Sequence, residues 1–178
     1  TRVMIGGAFI ADNPNKMRDW VYYIGKYEVT EAQYHSIVPG EVQNPQYPVC
    51  NISWFETQEF INQYNLWLYE NALDQVPKQE GTTGYLRLPT EIEWEFAARG
   101  GIKVDALQFD KKHPYEGPLT NYEWFAGKKS SHGKIKKIGL LEPNPIGVHD
   151  MLGNVSEMTS TLYHIEYYQG RPGGFTLR

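Results

Sequence analysis

A chain of 178 residues with 40% hydrophobic and 21% charged residues has an ordinary globular composition, and enough length for one substantial core. No apolar run approaches a bilayer span, and a formal charge of -4 without a dense basic stripe argues against a nucleic-acid partner. One cysteine cannot close an internal disulfide, so cysteine usage says nothing about the redox compartment.

The first predicted element is a strand over Val3 to Ile10, interrupted by Gly6-Gly7, and the second a strand over Val21 to Val29. Asn13-Pro14-Asn15 turns the chain between them. Thr30 with Gln33 forms a capping-box pattern, opening a helix that offers Ala32, Tyr34 and Ile37 to the core and ends at Pro39-Gly40. Ser53 with Glu56 opens a longer helix, in which Trp54, Phe60, Ile61, Tyr64, Trp67 and Leu68 recur at helical spacing to about Tyr69. Residues 71–84 read as a polar linker. Leu86 and Leu88 alternate with Arg87 as a short strand does, Pro89 stops it, and Thr90 with Glu93 opens a third helix. Ile92, Trp94, Phe96 and Ala97 give that helix its apolar face, and Arg99-Gly100-Gly101 ends it. Beyond Gly101, an abundance of Gly, Pro, Lys and Asn predicts long loops, short strands and little further helix. The basic cluster Lys128, Lys129, Lys134, Lys136 and Lys137 reads as a solvated loop. Aromatic residues at 14% suit this loop-rich plan, because large rings cover area at low entropy cost and keep a polar tip.

Seven blocks carry a family resemblance: Ile5-Gly-Gly-Ala-Phe9, Tyr23 to Thr30, Pro48 to Trp54, Leu86 to Glu91, Asn121-Tyr-Glu-Trp124, Pro143 to Gly147 and Asp150-Met-Leu-Gly-Asn154. In this order they resemble the formylglycine-generating enzyme family, also called the sulfatase-modifying factor domain. The resemblance runs from about residue 3 to Arg178. It implies a single α+β domain over residues 1–178 with a C-type-lectin-like fold: short, mainly antiparallel strands, about three helices and much irregular structure.

The founding enzymes of the family resemble copper-dependent oxidases that convert a substrate cysteine to formylglycine. Their chemistry needs a thiolate pair suited to Cu(I). In the family that pair lies in a C-terminal segment with an Arg-Gly-Gly-Ser-like start, and Arg178 stands where such a segment is expected to begin. The expectation is therefore a domain lacking its C-terminal catalytic segment, with copper relevant only if that segment supplies two cysteines, and with a companion C-terminal fragment as one expected partner. Cys50 falls where the family carries an apolar residue and reads as a small buried core residue. Ser156 replaces a tryptophan that lines the oxidase pocket, which argues against formylglycine generation.

A further block, Asp150 to Glu157, is similar to a calcium loop of the family. The resemblance implies a structural Ca2+ held by the carboxylates of Asp150 and Glu157 and the carbonyls of Gly153 and Val155, since hard oxygen donors suit that ion. The same residues also fit ordinary turn chemistry at Asp150 with Glu157 on the surface. The five histidines show no zinc spacing, and the Gly6-Gly7 region lacks the lysine of a phosphate loop.

Together these readings lead to an expected function as a non-catalytic binding or regulatory module for a protein, peptide or glycan, of the kind found in bacterial secretion or signalling systems. Its expected location is periplasmic or otherwise extracytoplasmic, where calcium is plentiful. The alternative is a copper-dependent oxidase with catalytic cysteines beyond Arg178. No membrane span and no catalytic residue are expected within the chain.

Overall fold

A computed structural model describes residues 3–7, 20–79 and 81–161, with side chains described over 22–78 and 81–161. Two strands, β1 (Val3–Gly7) and β2 (Trp20–Ile24), pair antiparallel with Val3 opposite Ile24 and Gly7 opposite Trp20. Helices α1 (Glu31–His35) and α2 (Trp54–Asn71) follow. A small antiparallel pair, β3 (Lys78–Gln79) and β4 (Thr82–Thr83), precedes α3 (Glu91–Ala98) and the single turn α4 (Ala106–Phe109).

Each helix start expected from the sequence forms as a complete capping box. Thr30, Ser53 and Thr90 sit in extended backbone, their hydroxyls accept the N–H three residues on, and Gln33, Glu56 and Glu93 reach back to the cap N–H. The motif is local, so it acts wherever the chain places it, and each such cap contributes about 1 kcal/mol. The third box carries extra weight. Arg87 donates to both carboxylate oxygens of Glu93, at 2.7 and 2.5 Å, and these hydrogen bonds hold Glu93 below the usual carboxylate range.

Two apolar clusters build the interior. Ala97, Ala98, Ile146, Val148 and Met151 are buried together, with Tyr22, Ile24, Trp94 and Phe96 packed against them. Tyr34, Phe60 and Ile61 form the second, closed by Ile37, Val49, Ile52, Tyr64 and Leu88. Burying a side chain such as Phe60 or Ile61 stabilises the fold by roughly 1.5–3 kcal/mol. Buried Asn144 stitches the first cluster: its amide donates to Ala97 O at 2.8 Å, and its carbonyl accepts from Ile146 and Val148 N–H.

Several expectations are corrected. β2 ends at Ile24, and residues 29–31 instead pair across to residues 47–49 through Glu31 N–H to Tyr47 O and Val49 N–H to Val29 O. The turn at Asn13-Pro14-Asn15 and residues 8–10 of the first expected strand lie outside the described residues. The stretch read as polar linker holds a one-turn 3-10 helix at Leu73–Gln75 and the β3–β4 pair. Leu86 to Leu88 is no sheet strand: the Asn65 side chain takes the partner's place, accepting from Leu86 N–H at 2.7 Å and donating to Leu86 O at 2.8 Å. Ile92 faces out at 60% exposure, since the apolar face of α3 is carried by its later residues. Past Gly101, one α-helical turn and two 3-10 turns form, with no strand among the described residues of that region. Four α-helices are thus described where about three were expected.

Candidate functional site

The loop from His149 to Glu157 crosses the first core cluster and is fixed from three directions. Asp150 adopts a left-handed conformation at φ 61, buries its side chain to 1% exposure, and accepts from Gly139 N–H at 2.8 Å. His149 packs its ring on Tyr27, with centroids 4.8 Å apart, and its Nδ1 lies 2.8 Å from Leu141 O. Gly153 lies so close to the Trp124 backbone that an added Cβ would sit 2.2 Å from Trp124 O. Only glycine fits there.

Asn154 is the centre of the loop's connections. Its side chain accepts from Lys136 N–H at 2.8 Å and donates to Lys136 O at 3.1 Å and to Glu28 Oε2 at 2.8 Å. Its backbone N–H donates to Trp124 O at 2.8 Å. Lys136 in turn places its ammonium over the Trp124 ring, 5.4 Å from the centroid. The basic loop is therefore pinned at Lys136, while Lys128, Lys129, Lys134 and Lys137 are exposed as expected.

Around this loop the structure gathers buried carboxyl groups that the sequence reading did not single out. Glu123 is 0% exposed and Glu28 is 8% exposed. The Tyr115 hydroxyl donates to Glu123 Oε1, and that tyrosine stacks flat on Tyr122 with centroids 4.4 Å apart. One oxygen on each of Glu28, Glu123 and Asp150 is buried without a hydrogen-bond partner. Burial pushes Glu28 up to about 8, a shift opposed by the Asn154 amide and the Val155 N–H and reinforced by Asp150 and Glu157. Burial likewise pushes Glu123 up to about 7, against the Tyr115 hydroxyl and the Leu152 N–H. Asp150 is raised by burial too, while Gly139 N–H and His149 hold it down.

The four residues expected to hold calcium fall as follows. Asp150 is buried with Oδ1 unpartnered, while Gly153 and Val155 are half-buried. Glu157 is exposed, as the turn-chemistry alternative expects, and accepts from Trp94 Nε1–H. The density of protein around its carboxyl raises its pKa; the Trp94 bond opposes this and Asp150 adds to it. An orphaned hard oxygen on a buried carboxylate, beside further carboxylates that repel it, is the donor chemistry a calcium ion would satisfy. Among the described residues no cluster of three or more His, Cys, Asp and Glu side chains is placed to hold a metal, so an ion here would depend on backbone carbonyls and water. Ser156 is exposed at the loop's outer side.

Cys50 departs from its expected core placement. It is half-buried, its thiol donates to Pro48 O at 3.3 Å, and it lines a cavity of about 430 Å³ with Glu31, His35 and Glu56. Burial pushes its thiol up, with Glu28 and Glu31 adding to the effect. A thiol so shifted is mostly protonated at neutral pH and a poor nucleophile.

A sequence model of the sulfatase-modifying factor enzyme 1-like domain matches residues 4–176. The chain is 31% identical over 171 residues to a protein named chaperone protein LppX from Paenibacillus barcinonensis, covering 76% of this chain and 60% of that protein. It is 30% identical over 122 residues to inactive C-alpha-formylglycine-generating enzyme 2 of Bos taurus, covering 66% of this chain and 34% of that protein. The chain thus spans less than two thirds of the length of these curated relatives. Among solved structures, CarF matches with a TM-score of 0.65 at 23% identity, over 94% of this chain and 82% of that one. That likeness shows an α+β fold of the formylglycine-generating-enzyme type.

Proposed function

The chain belongs to the sulfatase-modifying factor enzyme 1-like domain family, and from that membership we propose that it serves as a non-catalytic binding module, engaging a protein, peptide or glycan. The observation that carries the reading is Ser156. It stands, exposed, in the loop that resembles the family's active-site segment, where the oxidases carry an indole. A hydroxyl there leaves a wetter, differently shaped pocket than the indole would. Two relatives support a non-catalytic role by their names, one a chaperone and one an inactive enzyme.

In this reading the loop from Asp150 to Glu157 is a rigid scaffold. Asp150 and Glu157 carboxylates with Gly153 and Val155 carbonyls would hold a calcium ion, whose charge offsets the repulsion among Glu28, Glu123, Asp150 and Glu157. Bound calcium supplies no redox chemistry; it ties the loop to the core. An extracytoplasmic location, as in a bacterial secretion or signalling system, would provide the ion at the concentration a weak site needs.

The test is oxygen uptake by the complete protein, including whatever follows Arg178, with Cu(I) and a cysteine-containing sulfatase peptide. No uptake above a copper-only control, with the peptide recovered unmodified by mass, is expected. Uptake coupled to loss of the peptide thiol would overturn the proposal in favour of the oxidase.

A further inference from the structure

From Tyr27 to Pro77 the chain carries seven carboxylates and neither lysine nor arginine. Within that stretch lies α2, whose last turn contains no basic residue. Glu70 lies in that turn and Asp74 in the 3-10 turn that follows, both exposed. The carboxyl end of an 18-residue helix is the negative pole of its dipole, so carboxylates there are destabilising and cations are favoured. Among the described residues neither Glu70 nor Asp74 pairs with a lysine or arginine. Lys78, exposed further along the chain, pairs with neither. Among the described residues this end of the helix therefore carries negative charge that no lysine or arginine pairs with, its polar partners being the neutral amides of Gln75, which donates to Asp74 at 2.8 Å, and Asn71, which donates to Trp67 O at 2.9 Å.

Beside it opens a groove of about 500 Å³, whose walls include Asn62, Leu66, Tyr69, Leu73, Val76 and Tyr85. Three of these are large and strongly exposed: Leu66 at 63%, Tyr69 at 71% and Tyr85 at 74%. The far wall is firmly held, because the Asn65 amide clamps the Leu86 backbone next to Tyr85. Aromatic walls suit an inserted apolar side chain, and the groove offers little polar lining for a sugar.

We propose that this groove docks a cationic amphipathic peptide segment of a partner protein. An apolar side chain inserts between Tyr69 and Tyr85, and flanking basic groups meet Glu70, Asp74 and the carboxyl end of α2. The inference rests on the binding-module reading above. It explains why two carboxylates stand where they weaken their own helix: a bound cation relieves them.

Fluorescence anisotropy with a short labelled peptide, one central phenylalanine flanked by lysines, tests it. The control probe has glutamates in place of the lysines. The chain binds the first probe and not the second. Glu70→Gln with Asp74→Asn weakens binding about tenfold and raises Tm by about 2–4 °C, since the helix end loses its repulsion. Tyr69→Ser with Tyr85→Ser weakens binding more than tenfold with an unchanged circular dichroism spectrum. Absence of binding, equal affinity for both probes, or binding that neither double variant changes overturns the groove while leaving the binding-module reading intact. Self-association in sedimentation that Tyr69→Ser with Tyr85→Ser abolishes assigns the groove to a second copy and also overturns it. Oxygen uptake with the sulfatase peptide would sink the binding-module reading on its own, whatever the anisotropy shows.

Discussion

Asn154→Ala is the substitution on which the account of the loop depends most. It removes three side-chain hydrogen bonds, two to Lys136 and one to Glu28, at 2.8 to 3.1 Å. At a net value of about 1 kcal/mol each, their loss costs about 3 kcal/mol. Asn154 also sits at φ 57, a left-handed conformation that asparagine tolerates and alanine does not, which adds about 1 kcal/mol. The sum, about 4 kcal/mol, is a drop in Tm on the order of 10 °C for a chain of this size. Asn154→Gly separates the two causes: it loses the same hydrogen bonds without the backbone strain, so it is about 1 kcal/mol less damaging than alanine. Urea unfolding followed by tryptophan fluorescence, with the slope unchanged between variants, supplies both numbers. A cost below about 1 kcal/mol for Asn154→Ala, or a glycine variant as unstable as the alanine one, would refute the reasoning.

In calcium-free buffer, stability follows the buried carboxyls. Glu28 is raised from 4.5 unfolded to about 8 folded, so the folded state binds the extra proton between those values. Its contribution is complete below pH 4.5 and is lost as pH rises through 8, with Glu123, raised to about 7, acting in the same direction. Glu28→Gln flattens the fall of Tm across pH 5 to 8.5, and parallel curves for variant and wild type would count against it. Calcium raises Tm and chelator lowers it; at a hundred times the dissociation constant the ion adds about 2.7 kcal/mol. Asp150→Asn, which keeps a residue tolerant of left-handed backbone, loses that response, whereas a wild type indifferent to both additions has no calcium site.

What the sequence disclosed and what it withheld divide along the range of the interaction. The capping boxes at Thr30, Ser53 and Thr90 close within four residues, so the residue types alone specify them. The blocks that resemble the family are likewise contiguous runs, and they located the Asp150 loop. Glu28 and Asn154 meet across 126 positions, and nothing near Glu28 distinguishes it from a surface glutamate on a strand. Buried Glu123 sits in a block quoted for its resemblance, yet its burial depends on Tyr115 and Leu152 arriving from other loops. The expected strand at Leu86 fails for a related reason. Alternation describes which residues face the core, and Leu88 does pack there, but it cannot say whether a neighbouring backbone or a side-chain amide will satisfy the peptide groups. Asn65 does so from α2, at 2.7 and 2.8 Å, ending a would-be sheet at one residue. That substitution of an amide for a strand also fixes the wall that bears Tyr85. The rigid face of the groove is thus made by the same contact that defeats the sequence-based strand, and a change at Asn65 should loosen both together.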